Sequence, residues 1–107
     1  MPNLNKSEYG QVVRVNLFED VSTATDLTFV LQPRVGESLE RTASDGVVVG
    51  TANTDVGDET YLANQFLEYT ILDGDLTYAG QWRIKGKAKL SATKEVISDY
   101  KRITVKE

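Results

Sequence analysis

Apolar and polar side chains alternate most regularly over residues 80–90, GQWRIKGKAKL. Successive side chains of a β-strand point to opposite faces, so a period of two predicts a strand with one buried face and one face in water or against a polar partner. Trp82 is the single tryptophan, and a buried side chain of that size removes roughly 150 to 250 Å² from water. We expect it to dominate the core. The predicted inward side chains are Trp82, Ile84, Ala88 and Leu90, and the outward ones are Gln81, Arg83, Lys85, Lys87 and Lys89.

The same alternation predicts six further strands. Their expected inward side chains include Val13 and Val15 early in the chain, Leu67 and Tyr69 in the middle, and Ile103 near the end. Short strands spaced about ten residues apart and joined by Gly, Asp and Ser turns are typical of a β-sandwich or a small barrel, and seven strands favour the sandwich. The six strands are expected at residues 10–18, 27–33, 39–43, 47–51, 66–72 and 99–106.

Two connections carry a specific structural expectation. Asp45 and Gly46 lie between two predicted strands, and an Asp-Gly pair favours a type I′ turn with positive φ at both central residues, so we predict a hairpin. Leu62 and Phe66 lie four positions apart. This spacing predicts a loop or a single helical turn over residues 60–66.

The chain divides into two unequal parts. Residues 1–9 (MPNLNKSEY) are mostly polar and are predicted to form an N-terminal arm. Such an arm either lies against a neighbouring subunit or is held by its own domain. Residues 10–107 are predicted to form a single β-sandwich domain, because a chain of 107 residues has enough apolar surface for one core.

Two acidic turns are the places where a metal site could be suspected. Asp55, Asp58 and Glu59 cluster in one turn. Calcium takes oxygen ligands, but the usual calcium-binding loop needs carboxylates at a longer and stricter spacing. Charged side chains are seldom buried, so we predict a solvated acidic loop and no metal site. We make the same prediction for Asp73 and Asp75.

Charge and composition argue against several classes of function. The formal net charge is −4, with no histidine and no cysteine. Nucleic acids are bound by clustered cations, so the net charge argues against a nucleic-acid partner. The missing residue types exclude histidine-based triads, the usual zinc sites and thiolate chemistry. We therefore expect no enzyme activity, catalytic residue, cofactor or metal.

No apolar run approaches the roughly 20 residues of a membrane span, and the N-terminus lacks the pattern of a secretion signal. We expect a soluble protein made in the cytoplasm, without a membrane partner.

Four of the twelve basic residues of the chain lie at the outward-facing positions of residues 80–90: Arg83, Lys85, Lys87 and Lys89. Two interpretations stay open. Lysines along a strand can protect a sheet edge from unwanted pairing or keep a solvent face soluble. Alternatively, the row binds an acidic surface, such as that of another copy of this acidic protein.

Three segments resemble a known family. Residues 19–36, EDVSTATDLTFVLQPRVG, place an acidic turn with a serine and a small residue before an apolar strand, a proline and a glycine. Residues 73–84, DGDLTYAGQWRI, place an Asp-Leu turn before Ala-Gly and an aromatic residue that opens a core strand. Both resemble the immunoglobulin-like domain in the N-terminal part of bacteriophage baseplate upper proteins. The end of the chain, YKRITVKE at residues 100–107, is also similar.

This resemblance implies an immunoglobulin-like antiparallel β-sandwich of about seven strands in a structural protein of a tailed phage virion. The expected role is a tail or baseplate adaptor or a fibre-attachment component, which binds other virion proteins and further copies of itself in a symmetric assembly. A capsid decoration protein is an alternative. A carbohydrate-binding sandwich module is another, although Trp82 and Tyr69 fall on inward parities. The remaining tyrosines are scattered along the chain, at Tyr9, Tyr61, Tyr78 and Tyr100.

Overall fold

The computed structural model describes residues 3–107, which contain eleven strands and no α-helix. The strands are short, and the longest, β9, has 12 residues. In chain order they are β1 (Asn3–Asn5), β2 (Val12–Asn16), β3 (Asp26–Pro33), β4 (Leu39–Thr42), β5 (Val48–Val49), β6 (Thr54–Val56), β7 (Glu59–Tyr61), β8 (Phe66–Thr70), β9 (Gly80–Ser91), β10 (Lys94–Ile97) and β11 (Lys101–Lys106).

The strands form two main sheets and one separate hairpin. Sheet A has six strands in the order β1-β11-β9-β3-β4, with β10 also paired to β9. Sheet B has three strands in the order β2-β8-β5, and β6 pairs only with β7. All pairs are antiparallel except the parallel pair of β1 and β11. The all-β class is therefore confirmed, and the two facing sheets give a β-sandwich-like architecture.

Strand β9 has the side-chain arrangement that its sequence predicts. Trp82, Ile84 and Ala88 are buried, at 2%, 0% and 0% exposure. Arg83 and Lys89 on the opposite parity are exposed. The strand is central in sheet A, because β3 pairs along one side of it while β10 and β11 share the other.

The core lies between the inner faces of the two sheets. The predicted inward residues Val13 and Val15 on β2 are buried, as are Leu67 and Tyr69 on β8 and Ile103 on β11. These side chains belong to one cluster with Trp82 and Ile84. Burial of this apolar surface is the main favourable term in folding.

At Gly86 the two sheets approach too closely to leave room for a side chain. A Cβ atom added there would lie 2.5 Å from Val15 Cγ2 and 2.9 Å from Leu67 Cδ1. Side-chain carbons do not approach so closely, so Val15 and Leu67 occupy the space that any other residue would fill. The glycine in the middle of β9 is therefore a packing requirement.

The hairpin predicted at Asp45 and Gly46 is wrong. β4 pairs with β3 in sheet A, whereas β5 pairs with β8 in sheet B, so this connection crosses between sheets. The Thr42 N–H donates to the Asp45 carboxylate at 3.0 Å, and Ala43–Asp45 form a 3₁₀ turn. From Thr42 to Gly46, positive φ is confined to Gly46, at 102°. A type I′ turn needs two such residues, and the chain therefore changes layer instead of reversing within one sheet.

All seven predicted strands are present, and the structure adds β1, β6, β7 and β10. The expected loop of residues 52–59 and the possible helical turn after it contain the hairpin of β6 and β7, turning at Gly57 with a φ of 59°. In the predicted arm, Met1 and Pro2 lie outside the described residues. Asn3–Asn5 pair with β11, and Leu4 is 2% exposed in the core of its own domain. Among residues 3–107 there is no helix with the length and apolar character needed to cross a membrane.

Replacing Gly86 by alanine tests the close approach of the sheets. The added methyl group collides with Val15 and Leu67, and overpacking of this kind typically costs about 1 to 3 kcal/mol. We expect the free energy of unfolding in urea to fall by that amount. Lys87→Ala, on the outer face of the same strand, should change it by less than about 0.5 kcal/mol. Equal unfolding midpoints for Gly86→Ala and the wild type would contradict this packing.

Candidate protein interaction surfaces

A row of cations lies on the outer face of sheet A. Arg83, Lys85, Lys87 and Lys89 point away from the core along β9, and we call them the basic row. Edge protection does not explain the row, because β9 has paired neighbours on both sides. The other two interpretations, a soluble face and a binding face, both agree with this position.

None of these four cations forms an ion pair within the described part of the chain, although Lys89 lies directly opposite Asp26 on β3 and Glu95 on β10. Ion pairs there join Arg14 to Glu68, Arg41 to Asp75, Lys94 to Glu19 and Lys101 to Glu59. Four of the twelve basic residues are used in these pairs. The protein therefore presents a positive face although its net charge is −4.

Tyr100 lies beneath two of these cations. The Arg83 guanidinium carbon is 4.4 Å from the Tyr100 ring centroid, and the Lys85 ammonium nitrogen is 4.7 Å from it. Cations bind the negative face of an aromatic ring, worth about 0.5 to 1 kcal/mol at an exposed site. Tyr100 is 43% exposed. Its ring holds part of the basic row in place and is covered by it.

Three arginines surround a groove at the beginning of β9. Arg34, Arg83 and Arg102 are all exposed, and the groove has a volume of about 400 Å³. We call it the arginine groove. Arg102 on β11 lies directly opposite Arg83, and like charges in this position destabilise a sheet. Guanidinium groups match carboxylates through paired hydrogen bonds, so a bound carboxylate would relieve this repulsion. The other lining residues are Gln32, Pro33, Gln81 and Trp82.

The solvated turn predicted for Asp75 is wrong. Asp75 is 2% exposed. Its carboxylate accepts hydrogen bonds from the Tyr69 hydroxyl, from Arg41 Nη2 at 2.5 Å and from the Leu72 N–H at 3.0 Å. Burial, followed by the hydrogen bond to Asp75, raises the pKa of the Tyr69 phenol. This network ties the turn before β9 to β4, whereas Asp73 in the same turn is exposed.

The other acidic turn forms the hairpin of β6 and β7, which we call the acidic hairpin. Asp55 and Asp58 are exposed on it. Glu59 accepts a hydrogen bond from the Tyr61 hydroxyl at 2.6 Å and pairs with Lys101 at 3.1 Å. The hydrogen bond from Tyr61 is the main reason that the pKa of Glu59 is lowered. Within residues 3–107 no three acidic side chains are close enough together to hold a metal ion.

Phe18 is the most exposed large apolar side chain of the described residues, at 80%. Its φ is 57°, in the left-handed region that bulky residues rarely adopt. The Phe18 N–H donates to Asn16 Oδ1 at 3.0 Å, which stabilises this conformation. Phe18, Ile97 and Tyr100 line a second groove of about 300 Å³.

The tryptophan and two of the five tyrosines cannot stack on a sugar because they are buried. Trp82 and Tyr69 are buried, and Tyr61, expected among the scattered tyrosines, is also buried at 1% exposure. The Trp82 indole N–H donates to the Tyr78 carbonyl at 2.9 Å. Tyr9, Tyr78 and Tyr100 remain exposed, and the Arg83 guanidinium lies over the Tyr100 ring.

Comparisons with protein-family models, with curated proteins and with solved structures give no match for this chain.

The buried tyrosines predict a specific loss of stability in alkali. Tyrosine in an unfolded chain ionises near pH 10, whereas burial and the bonds to Asp75 and Glu59 raise the pKa values of Tyr69 and Tyr61 in the folded protein. Above about pH 10 the unfolded state binds fewer protons than the folded state, so the free energy of unfolding falls as the pH rises. Below about pH 10 both tyrosines are protonated in the folded and in the unfolded state, so they do not affect how the free energy of unfolding depends on pH.

Urea unfolding on both sides of this pH checks the effect. In Tyr69→Phe the decline above about pH 10 should be shallower than in the wild type. Leu31→Ala, which removes buried apolar atoms but no ionisable group, should lower stability equally at every pH. A decline of the same slope in Tyr69→Phe would show that the Tyr69 phenol does not contribute.

Proposed function

We propose that this protein is a structural module that acts by binding other proteins in a symmetric assembly. We further propose that this assembly is part of a tailed phage virion, in which the protein is a tail or baseplate adaptor or a fibre-attachment component. One observation carries the proposal: on the outer face of sheet A, Arg83, Lys85 and Lys87 form no ion pair within residues 3–107 and have no acidic residue opposite them, on a protein whose net charge is −4.

The placement of the basic row suits protein binding. β9 is held by strands on both sides, so the spacing of its outward cations is fixed by the backbone. A positive face on one protein and a negative face on another increase the rate of encounter and determine the relative orientation of the two. The acidic surplus of the same chain supplies such negative faces, so repeated copies can bind one another as well as other acidic proteins.

The virion setting is supported by the resemblance of residues 19–36 and 73–84 to the immunoglobulin-like domain of baseplate upper proteins. The two segments include β3 and the beginning of β9, which are hydrogen-bonded neighbours with Pro33 opposite Trp82. The resemblance therefore falls on one continuous part of sheet A. We propose that the sandwich is immunoglobulin-like on this basis.

Reversing two charges of the basic row tests the proposal. Lys85→Glu combined with Lys87→Glu should reduce cosedimentation with particles of the phage that encodes the protein by at least about tenfold, because like charges then face each other across the contact. The wild type should be released from the particles when the salt concentration is raised to about 1 M, where the Debye length is only about 3 Å.

Lys85→Arg combined with Lys87→Arg keeps both charges and serves as the matched control. It should bind particles as the wild type does. Undiminished binding by the reversed variant would show that the row serves solubility alone. Recovery of the wild-type chain only in the soluble fraction of infected cells would show that the virion part of the proposal is wrong.

A further inference from the structure

We propose that the arginine groove of one copy binds the acidic hairpin of a second copy, so that copies join head to tail. This inference rests on the proposed assembly function and names the two surfaces through which the protein contacts itself. It adds a carboxylate-binding site built from Arg34, Arg83 and Arg102.

The arginine groove has positive charges that repel one another and that no carboxylate of residues 3–107 neutralises. Arg83 and Arg102 face each other across β9 and β11, and within the described residues none of the three arginines forms an ion pair. The Arg83 Nη2 group donates to Gln32 Oε1 at 3.3 Å, which holds one guanidinium at the wall of the groove. At about 30 Å³ per molecule of liquid water, the volume of about 400 Å³ corresponds to about a dozen waters, enough space for two short acidic side chains.

The acidic hairpin supplies two carboxylates of the right kind. Asp55 lies on β6 and Asp58 in the turn that follows it; both are exposed, and neither forms an ion pair in the described part of the chain. No lysine or arginine occurs between residues 52 and 66 to neutralise them. Aspartate side chains are short, so few bond rotations are lost when they bind.

The hairpin is also held in a fixed position. Glu59 and Tyr61 on β7 bond to Lys101 on β11, at 3.1 Å from Glu59 and 2.5 Å from the Tyr61 hydroxyl. The Asn16 amide donates to the Thr60 carbonyl at 3.1 Å. These contacts leave Asp55 and Asp58 free while fixing the strands that carry them, which lowers the entropy cost of binding.

A second copy is the partner that best matches these surfaces. The groove and the hairpin carry opposite charges and belong to different elements, and no ion pair joins them within the described residues. Two different surfaces that bind each other form a heterologous contact, which produces closed rings or open filaments. Both results are symmetric assemblies of the kind that the proposed function requires.

Neutral variants of each surface test the contact. Arg34→Gln with Arg102→Gln removes two charges from the groove, and Asp55→Asn with Asp58→Asn removes two from the hairpin. In sedimentation velocity at low salt, the wild type should form species larger than a dimer as its concentration is raised. Each variant alone should self-associate at least about tenfold more weakly.

Mixing the two variants gives the decisive result. The groove variant keeps an intact hairpin and the hairpin variant keeps an intact groove, so together they can form one wild-type junction. We expect a 1:1 complex that grows no further. Larger species, or no complex at all, would overturn the head-to-tail contact.

Matched controls separate this contact from general charge effects. Lys6→Gln with Lys106→Gln removes two exposed charges outside both the groove and the basic row, and Asp73→Asn with Glu95→Gln removes two exposed carboxylates outside the hairpin. Both should self-associate within about threefold of the wild type, because long-range charge effects are weaker than direct contacts. Unfolding midpoints in urea verify that every variant is folded.

The outcomes also distinguish this inference from the proposed function. A wild-type chain that stays monomeric overturns the contact between copies, whereas particle binding through the basic row is decided by its own experiment. A wild type that assembles, with groove and hairpin variants that assemble equally well, overturns the two named surfaces but agrees with an assembly function.

Discussion

The structure depends on strand β9, which has one face in the core and the opposite face on the surface of the protein. Its inward side chains meet sheet B so closely that Gly86 leaves no room for a Cβ atom next to Val15. Its outward side chains cannot enter the core, because β3, β10 and β11 hold the backbone from both sides. A cation on the outward parity must therefore remain on the surface. The same constraint that closes the core exposes the basic row.

The alternation of side chains predicted most of the core but not its connections. Val13, Leu67 and Ile103 are buried as their parities indicate, because a period of two directly reports which face is inward. The turn at Asp45 and Gly46 shows the limit of this reasoning. A local turn sequence does not report which strands are paired, and here β4 and β5 belong to different sheets. Short strands such as β1 and β6 contain too few residues to show a period.

The candidate surfaces were predictable to different degrees. The basic row lies within one strand, so its sequence alone places its cations on one face. The arginine groove combines β9 and β11 with the segment after β3, and only strand order brings Arg34, Arg83 and Arg102 together. Asp75 has its partner Arg41 34 positions earlier in the chain. The sequence around Asp75 is that of an ordinary turn and contains no sign of the distant guanidinium.

The parallel pair of β1 and β11 has a consequence for the order of folding. Leu4 lies opposite Val105 and is 2% exposed, so a residue of β1 is covered by a residue about 100 positions later in the chain. Until β11 has been synthesised, this leucine lacks the neighbouring strand that covers it. Contacts between residues so distant in sequence slow folding, since a long loop must be closed before they form. Completion of the β-sandwich therefore follows completion of translation through β11.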